Sequence, residues 1–267
     1  MAIEIIVHGA GGRMGVEVAR AALAEGDVRL AGGIDAAGSP AVGRDMGALC
    51  GLSDVGTIVQ SEPEIEALKQ AVVVDFTIPA ATLALLAAMP SSAGGIVIGT
   101  TGFTKEQRDV VVQASKRFPV LMSPNMSLGV NLLFHLTGLV AARLGDAFDI
   151  EITEAHHRHK KDAPSGTAVR LGEVAAEALG RKYGDVAQHG RSGMVGERPR
   201  AQIGMHALRG GDIVGDHTVL FAGPHERIEL RHMAHSRAVF AQGAVAAAKW
   251  LAGREPGLYG MGDVLGF

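Results

Sequence analysis

A β-branched run, Ile3 to Val7, breaks off into Gly9-Ala10-Gly11-Gly12 and passes through Arg13-Met14-Gly15 into a stretch with Val16, Ala19, Ala22 and Leu23 at helical spacing. A strand that ends on glycines and turns directly into a helix has few folds open to it. Glycine lets the backbone turn tightly. It also lets a ligand approach the bare N–H groups of a helix start, where the helix dipole favours an anion. The spacing reads G-x-x-G-x-x-G through Gly9, Gly12 and Gly15; Met14 stands where the stricter G-x-G-x-x-G places its last glycine. The next strand, Val28 to Ile34, ends at Asp35, twenty residues after Gly15. A carboxylate there accepts hydrogen bonds from the adenosine ribose of a dinucleotide. The plainer readings are a glycine turn without a ligand and an acid that merely ends a strand. If the ligand is a nicotinamide dinucleotide, the Asp35 carboxylate would repel a 2′-phosphate and Ala36 offers no compensating charge, so NADH is favoured over NADPH. Arg13 and Arg44 remain as alternative phosphate partners.

The alternation continues. Val72 to Phe76, Ile96 to Ile98 and Val120 to Ser123 read as further strands, with helices over Ala80 to Met89 and from Thr104 to Arg117 between them. Thr104 and Gln107 have the spacing of a capping box. Strand and helix in alternation predict an α/β fold: a parallel sheet with right-handed crossovers. Two strand ends carry small polar turns, Gly99-Thr100-Thr101-Gly102 and Ser123-Pro124-Asn125-Met126. Ligands on open α/β sheets lie at the carboxyl ends of strands, so either turn could edge a nicotinamide, or only cap a helix.

After Ser127 the pattern changes. Leu128 to Leu144 is a long apolar helix, and Asp149 to Glu154 alternates with the period of a half-buried strand. A helix over Ser165 to Leu179 and a polar, glycine-rich stretch to Arg200 follow. Then come three strands in series, Gln202–Leu208, Asp212–Ala222 and Arg227–Ala234, the last two joined by a turn at Gly223-Pro224-His225-Glu226. Strands in series predict a second, antiparallel open sheet. Val239 to Leu251 is a closing helix. The expected division is a dinucleotide-binding domain over 1–127 and 237–267, and a second domain over 128–236.

Composition narrows the classes. The chain has 267 residues, 47% apolar, and a net charge of −3; its mean hydropathy is +0.20. That excludes a disordered chain and argues against nucleic acid as the main partner. Runs such as Ala71 to Val74 and Val110 to Val112 fall far short of the roughly 18–20 residues that span a bilayer. Glu4, Arg13, Glu17 and Arg20 interrupt any leader-like apolar stretch in residues 1–25. Cys50 is the only cysteine, so no intrachain disulfide can form and a reducing, cytoplasmic compartment is expected.

The densest chemistry lies in Glu154-Ala155-His156-His157-Arg158-His159-Lys160-Lys161-Asp162-Ala163-Pro164-Ser165-Gly166-Thr167. Three histidines and three fixed cations leave a strand together, and an anion is their natural partner. Backbone N–H groups where Ser165-Gly166-Thr167 opens a helix can hold a carboxylate. Imidazoles that titrate near neutrality and a lysine supply proton donors. Duller readings compete: a solvated basic loop, a zinc site on the H-x-x-H spacing of His156 and His159, or a phosphate patch. The neighbouring cations oppose a metal, so none is expected. There is no nucleophile elbow and no P-loop.

Taken together, the glycine loop at 9–15, Gly99-Thr100-Thr101-Gly102 and the long run from Glu154 to Ala168 resemble the dihydrodipicolinate reductase family, whose members are also called 4-hydroxy-tetrahydrodipicolinate reductases. The resemblance covers the whole chain, and its second motif is the specific one. It implies a Rossmann-type nucleotide-binding domain and an α+β substrate domain whose open mixed sheet also assembles a homotetramer. It implies reduction of a cyclic imine dicarboxylate with NADH or NADPH in the diaminopimelate route to lysine. His156 and Lys160 become acid/base groups; His157, Gly166 and Thr167 become substrate contacts. Gly9, Ala10, Gly11, Gly12, Arg13, Met14 and Asp35 would bind the dinucleotide, joined by Gly99, Thr100 and Thr101 and by Ser123, Pro124, Asn125 and Met126. Members that use NADPH well often carry a base after the acid at the second strand's end; here that residue is Ala36. Two other classes remain open beside it: another nicotinamide-dependent dehydrogenase acting on an amino acid, and a nucleotide-sensing module without turnover.

Overall fold

Short β-branched segments that are apolar on both sides need a covered sheet, and helices between them supply the cover. The computed structural model, which describes residues 2–267, has this arrangement in its first part. The chain divides into two units, residues up to Leu128 with Arg237–Phe267, and Gly129–Ser236.

The first unit runs β1 (Ile3–His8), α1 (Arg13–Ala24), β2 (Val28–Ile34), α2 (Met46–Leu49), β3 (Val59–Gln60), α3 (Ile65–Gln70), β4 (Val72–Asp75), α4 (Pro79–Ala88), β5 (Ile96–Ile98), α5 (Lys105–Ala114) and β6 (Pro119–Met122). The second holds α6 (Leu128–Leu144), β7 (Asp149–His156), α7 (Gly166–Ala178), α8 (Tyr183–Val186), β8 (Ala187–His189), β9 (Ile203–Arg209), β10 (Gly215–Ala222) and β11 (Arg227–Ala234). The first unit is completed by α9 (Ala238–Leu251), β12 (Gly257–Tyr259) and α10 (Met261–Leu265).

All seven strands of the first sheet are parallel, in the order β12-β6-β5-β4-β1-β2-β3. Alternate residues face two cores. Ile5, Val7, Val72, Val74 and Val97 pack towards α1 and α9. Ile6, Val73, Ile96 and Ile98 pack towards α3, α4 and α5. Strand order reverses between β1 and β4, whose last residues, His8 and Asp75, are register partners. That reversal opens a crevice at the strands' carboxyl ends, the usual binding place in such sheets. Both halves of the capping box are made: Thr104 N–H donates to Gln107 Oε1 at 2.9 Å, and Gln107 N–H to Thr104 Oγ1 at 3.3 Å.

The second sheet is mixed, in the order β11-β10-β7-β9-β8. This corrects the antiparallel series read from the strand pattern and agrees with the open mixed sheet that the resemblance implies. β10 pairs antiparallel with β11 and β7, but β9 runs parallel to β7 and β8, and β7 lies between β9 and β10. Strands consecutive in sequence need not pair; Gly210 to Val214 leads β10 round to the far side of β7. β8 and α8 lie in the stretch that reads as polar and irregular, and β12 adds an edge strand after the last helix expected. One face of this sheet packs Ile150, Ile152, Ile203, Met205, Val219 and Phe221 against Leu133 of α6 and Leu171 of α7. The segment Leu128–Ala147 has a mean hydropathy of 1.4 and, by length and composition alone, could cross a membrane, which the shorter runs weighed from sequence do not show. Its Leu133 and Ala141 are buried in the second unit's core.

Candidate active site

In the first unit the glycine loop is held by contacts a side chain would break. Gly9 sits at φ +82°, and a Cβ on Gly15 would lie 2.1 Å from the Gly9 carbonyl oxygen. The first turn of α1 therefore presses on the end of β1, and its N-cap, Gly12, offers no side-chain acceptor. The N–H groups there remain for an anion. Asp35 stands beside them: Gly11 N–H donates to Oδ2 at 2.6 Å and Ala36 N–H to Oδ1 at 2.8 Å.

A cleft of about 440 Å³ opens here, lined by Gly9, Gly12, Asp35, Phe76, Thr77 and Ile78 among others. A second, of about 220 Å³, is lined by Met14, Phe76, Gly99, Pro124, Asn125, Met126 and Phe240. Phe76 is common to both. Its ring occupies the space a Cβ on Gly99 would need, 2.2 Å away. Of the remaining expected cofactor residues, Ala10 is buried and Gly11, Arg13 and Thr101 are exposed. Ser123 Oγ donates to the Asn125 carbonyl at 2.8 Å. The Thr100 hydroxyl donates to Asp75 Oδ2 at 2.8 Å and accepts Thr77 N–H at 2.8 Å, so it braces the crevice from within. An uncapped helix start, a carboxylate beside it and two clefts sharing one aromatic wall fit a dinucleotide.

Sequence reasoning missed the floor of this crevice. Asp75 is fully buried and accepts the hydroxyls of Thr77 at 2.7 Å, Thr82 at 2.6 Å and Thr100. His8 Nδ1 lies 2.8 Å from Asp75 Oδ1, out of hydrogen-bond alignment. The signal was a carboxylate ending a strand otherwise made of valine.

In the second unit, β7 alternates cleanly, and its buried side carries Ile150, Ile152, Glu154 and His156. Two core positions are thus followed by two ionisable ones. Burying a carboxylate costs several kcal/mol unless it is paired. Glu154, 1% exposed, is paired four times. Its Oε2 lies 2.6 Å from His156 Nδ1, and Arg209 binds both oxygens at 2.8 Å. Ser165 N–H donates to Oε1 at 3.0 Å. Burial works to raise the Glu154 pKa, but the hydrogen bonds from Arg209, His156 and Ser165 outweigh it and hold the carboxyl below its usual range.

His217 of β10 is the register partner of Glu154 and packs edge-on to His156, ring centroids 5.3 Å apart. Burial, then the neighbouring His156, pushes its imidazole down to about 4, so it is neutral. Its Nε2 lies 3.1 Å from Ser165 Oγ, which accepts the Ala168 N–H at 3.2 Å as the N-cap of α7. Lys160 Nζ lies 2.9 Å from Asp162 Oδ2, and that contact lowers the Asp162 carboxyl. Arg209 Nη2 also donates to the Asp162 carbonyl at 2.7 Å. Gly166 and Thr167 are the first residues of α7, and His157 is half-buried with its N–H on the Ile213 carbonyl.

The structure therefore gathers the expected acid/base pair, His156 and Lys160, at the mouth of one sheet, next to the helix start holding Gly166 and Thr167. Of the residues that brace them, Ser165 was read from sequence as opening a helix, whereas Glu154, Arg209 and His217 were given no role. Among these three, only Glu154 carried a local signal, two places before His156 on a period-two strand. Among the described residues no group of three or more His, Cys, Asp or Glu could hold a metal ion.

Comparison with known proteins covers both units. The family model described as dihydrodipicolinate reductase, N-terminus, matches residues 3–126, and the one described as dihydrodipicolinate reductase, C-terminus, matches 129–265. A 4-hydroxy-tetrahydrodipicolinate reductase of Anaeromyxobacter dehalogenans (strain 2CP-C) is 49% identical over 263 residues, covering 98% of this chain and 97% of the relative. One from Ruegeria pomeroyi is 51% identical over 263 residues with the same coverage. A dipicolinate-bound dihydrodipicolinate reductase from Paenisporosarcina sp. TG-14 shares the fold, with a TM-score of 0.75 at 23% identity over 97% of this chain and 98% of that one.

Proposed function

The chain belongs to the dihydrodipicolinate reductase family, and we infer that it is an oxidoreductase reducing 4-hydroxy-tetrahydrodipicolinate to tetrahydrodipicolinate, with loss of water, in the diaminopimelate route to lysine. The observation that carries the site assignment is the grouping of His156, Lys160 and the start of α7 around one buried, charged Glu154.

The substrate is a cyclic imine with two carboxylates. Lys160 and the N–H groups of Gly166 and Thr167 supply cation and dipole for those charges, with the Thr167 hydroxyl and His157 as further contacts. Loss of the hydroxyl as water takes up one proton and releases one from a ring carbon, and the ring takes up one more once it gains a hydride, so each turnover consumes one proton. We assign His156 Nε2, the bare nitrogen of the neutral ring, to take the released proton and return it, and Lys160 Nζ to give the other. A hydride to the ring is the chemistry that a bound nicotinamide dinucleotide supplies. Gly9 to Met14 and Asp35 hold its pyrophosphate and ribose; Gly99 to Thr101 and Ser123 to Met126 edge the nicotinamide. Asp35 accepts from the ribose 2′-hydroxyl, and with Ala36 beside it NADH is preferred to NADPH.

One face of the second unit's sheet packs on α6 and α7, and its edge strand β11 exposes Ile228 and Met233. Those features support a homotetramer built on that sheet, and the biosynthetic role supports a cytoplasmic enzyme.

The test is substitution. His156→Ala and Lys160→Ala should each lower kcat roughly 10²–10⁴-fold in folded protein, the usual worth of a general acid or base. Unchanged turnover in either variant contradicts its assigned role.

A further inference from the structure

His156 can move a proton usefully only if the right nitrogen faces the substrate. A carboxylate accepts and never donates while ionised. Glu154 is held ionised, and its Oε2 lies 2.6 Å from His156 Nδ1. Nδ1 must then carry the hydrogen. Nε2 is left as the working atom, in space kept open by Gly215, where a Cβ would come within 3.1 Å of it.

The same carboxylate reaches two other parts of the site. Its Oε1 fixes Ser165 N–H, and with it the point where α7 begins. Both its oxygens hold Arg209, whose second nitrogen reaches on to the Asp162 carbonyl, and Asp162 in turn holds Lys160. Glu154 touches neither substrate nor cofactor in this arrangement, since 1% of it is exposed.

We propose that Glu154 is the positioning residue of the active site, fixing the Nδ1–H tautomer of His156 and, through Ser165 and Arg209, placing the α7 start and the Lys160 loop around it. This rests on the assignment of His156 as an acid/base group. Glutamine at 154 keeps the volume and one acceptor. With its oxygen retained by Arg209 and Ser165 N–H, its amide N–H donates to His156 Nδ1 and forces the hydrogen to Nε2. A carboxylate-to-amide change that selects the wrong histidine tautomer costs several orders of magnitude in other enzymes.

The experiment has two arms on the full-length protein. Long-range ¹H–¹⁵N correlation on the wild type should show neutral His156 protonated at Nδ1; protonation at Nε2, or an even mixture, overturns the proposal whether or not any variant folds. In the coupled reductase assay, Glu154→Gln should lose about 100-fold or more in kcat, with substrate KM within about threefold of wild type. A kcat within about threefold of wild type overturns it. If the wild type itself fails to reduce the imine dicarboxylate, the reaction assignment fails, and the tautomer measurement still decides the role of Glu154.

Discussion

A neutral histidine walled into a charged site leaves a mark on stability. Folded His217 takes a proton only near pH 4, whereas in the unfolded chain it does so near 6.5. Between those values the unfolded state binds more protons, so stability falls as pH drops from about 6.5 to about 4. Above that window His217 contributes no pH dependence. The loss is roughly 3 kcal/mol at most. Urea unfolding at pH 7 and pH 4.5 should show a larger drop for wild type than for His217→Gln; equal drops contradict the burial argument. Comparing the two proteins removes the carboxylates that titrate lower, such as Glu151, which loses against burial but is drawn to about 2 by Arg191, His206 and Arg198. At this scale the sequence was legible where a residue's role is written in its neighbours. Asp35 follows a strand and a glycine loop, and His156 and Lys160 sit in a run of like charges. Arg209 and His217 were illegible, because Arg209 meets Glu154 from 55 residues away and His217 meets Ser165 from 52.

The elements that matter most are β7 and α7. β7 delivers two ionisable side chains to a buried face, and α7 begins where Ser165 accepts the Ala168 N–H. Ser165→Ala removes that cap and leaves the neutral His217 Nε2 without its hydroxyl partner. It should cost about 1 kcal/mol of stability and weaken binding of the dicarboxylate, since the start of α7 frays. A raised substrate KM, with NADH affinity unchanged, is the expected reading; an unchanged KM contradicts the role given to the α7 start. Elements declared by local pattern were legible: β1 into α1, the capping box at Thr104, the alternation of β7. The place of β9 was not. Its parallel pairing with β7 depends on contacts across some fifty residues and leaves no periodicity of its own. β12 was missed for the same reason, since three residues on a sheet edge carry too little pattern.

At the scale of the molecule, the chemistry is divided. One unit offers a parallel sheet whose strand order reverses beside Asp75 and a glycine loop with free helix N–H groups. The other gathers His156, Lys160 and the start of α7 on a charged, buried scaffold. Neither half alone specifies an imine reduction; the two together, with the family to which the chain belongs, do. The most direct measurement is therefore nicotinamide oxidation by the purified wild-type protein, with pyruvate, aspartate semialdehyde and the preceding synthase generating the unstable substrate in place, and NADH and NADPH followed in parallel. Oxidation that requires every component, and runs faster with NADH, is the result predicted here. Folded protein that oxidises neither cofactor would contradict the reductase reading and return the cluster from His156 to Thr167 to an anion site of unassigned use.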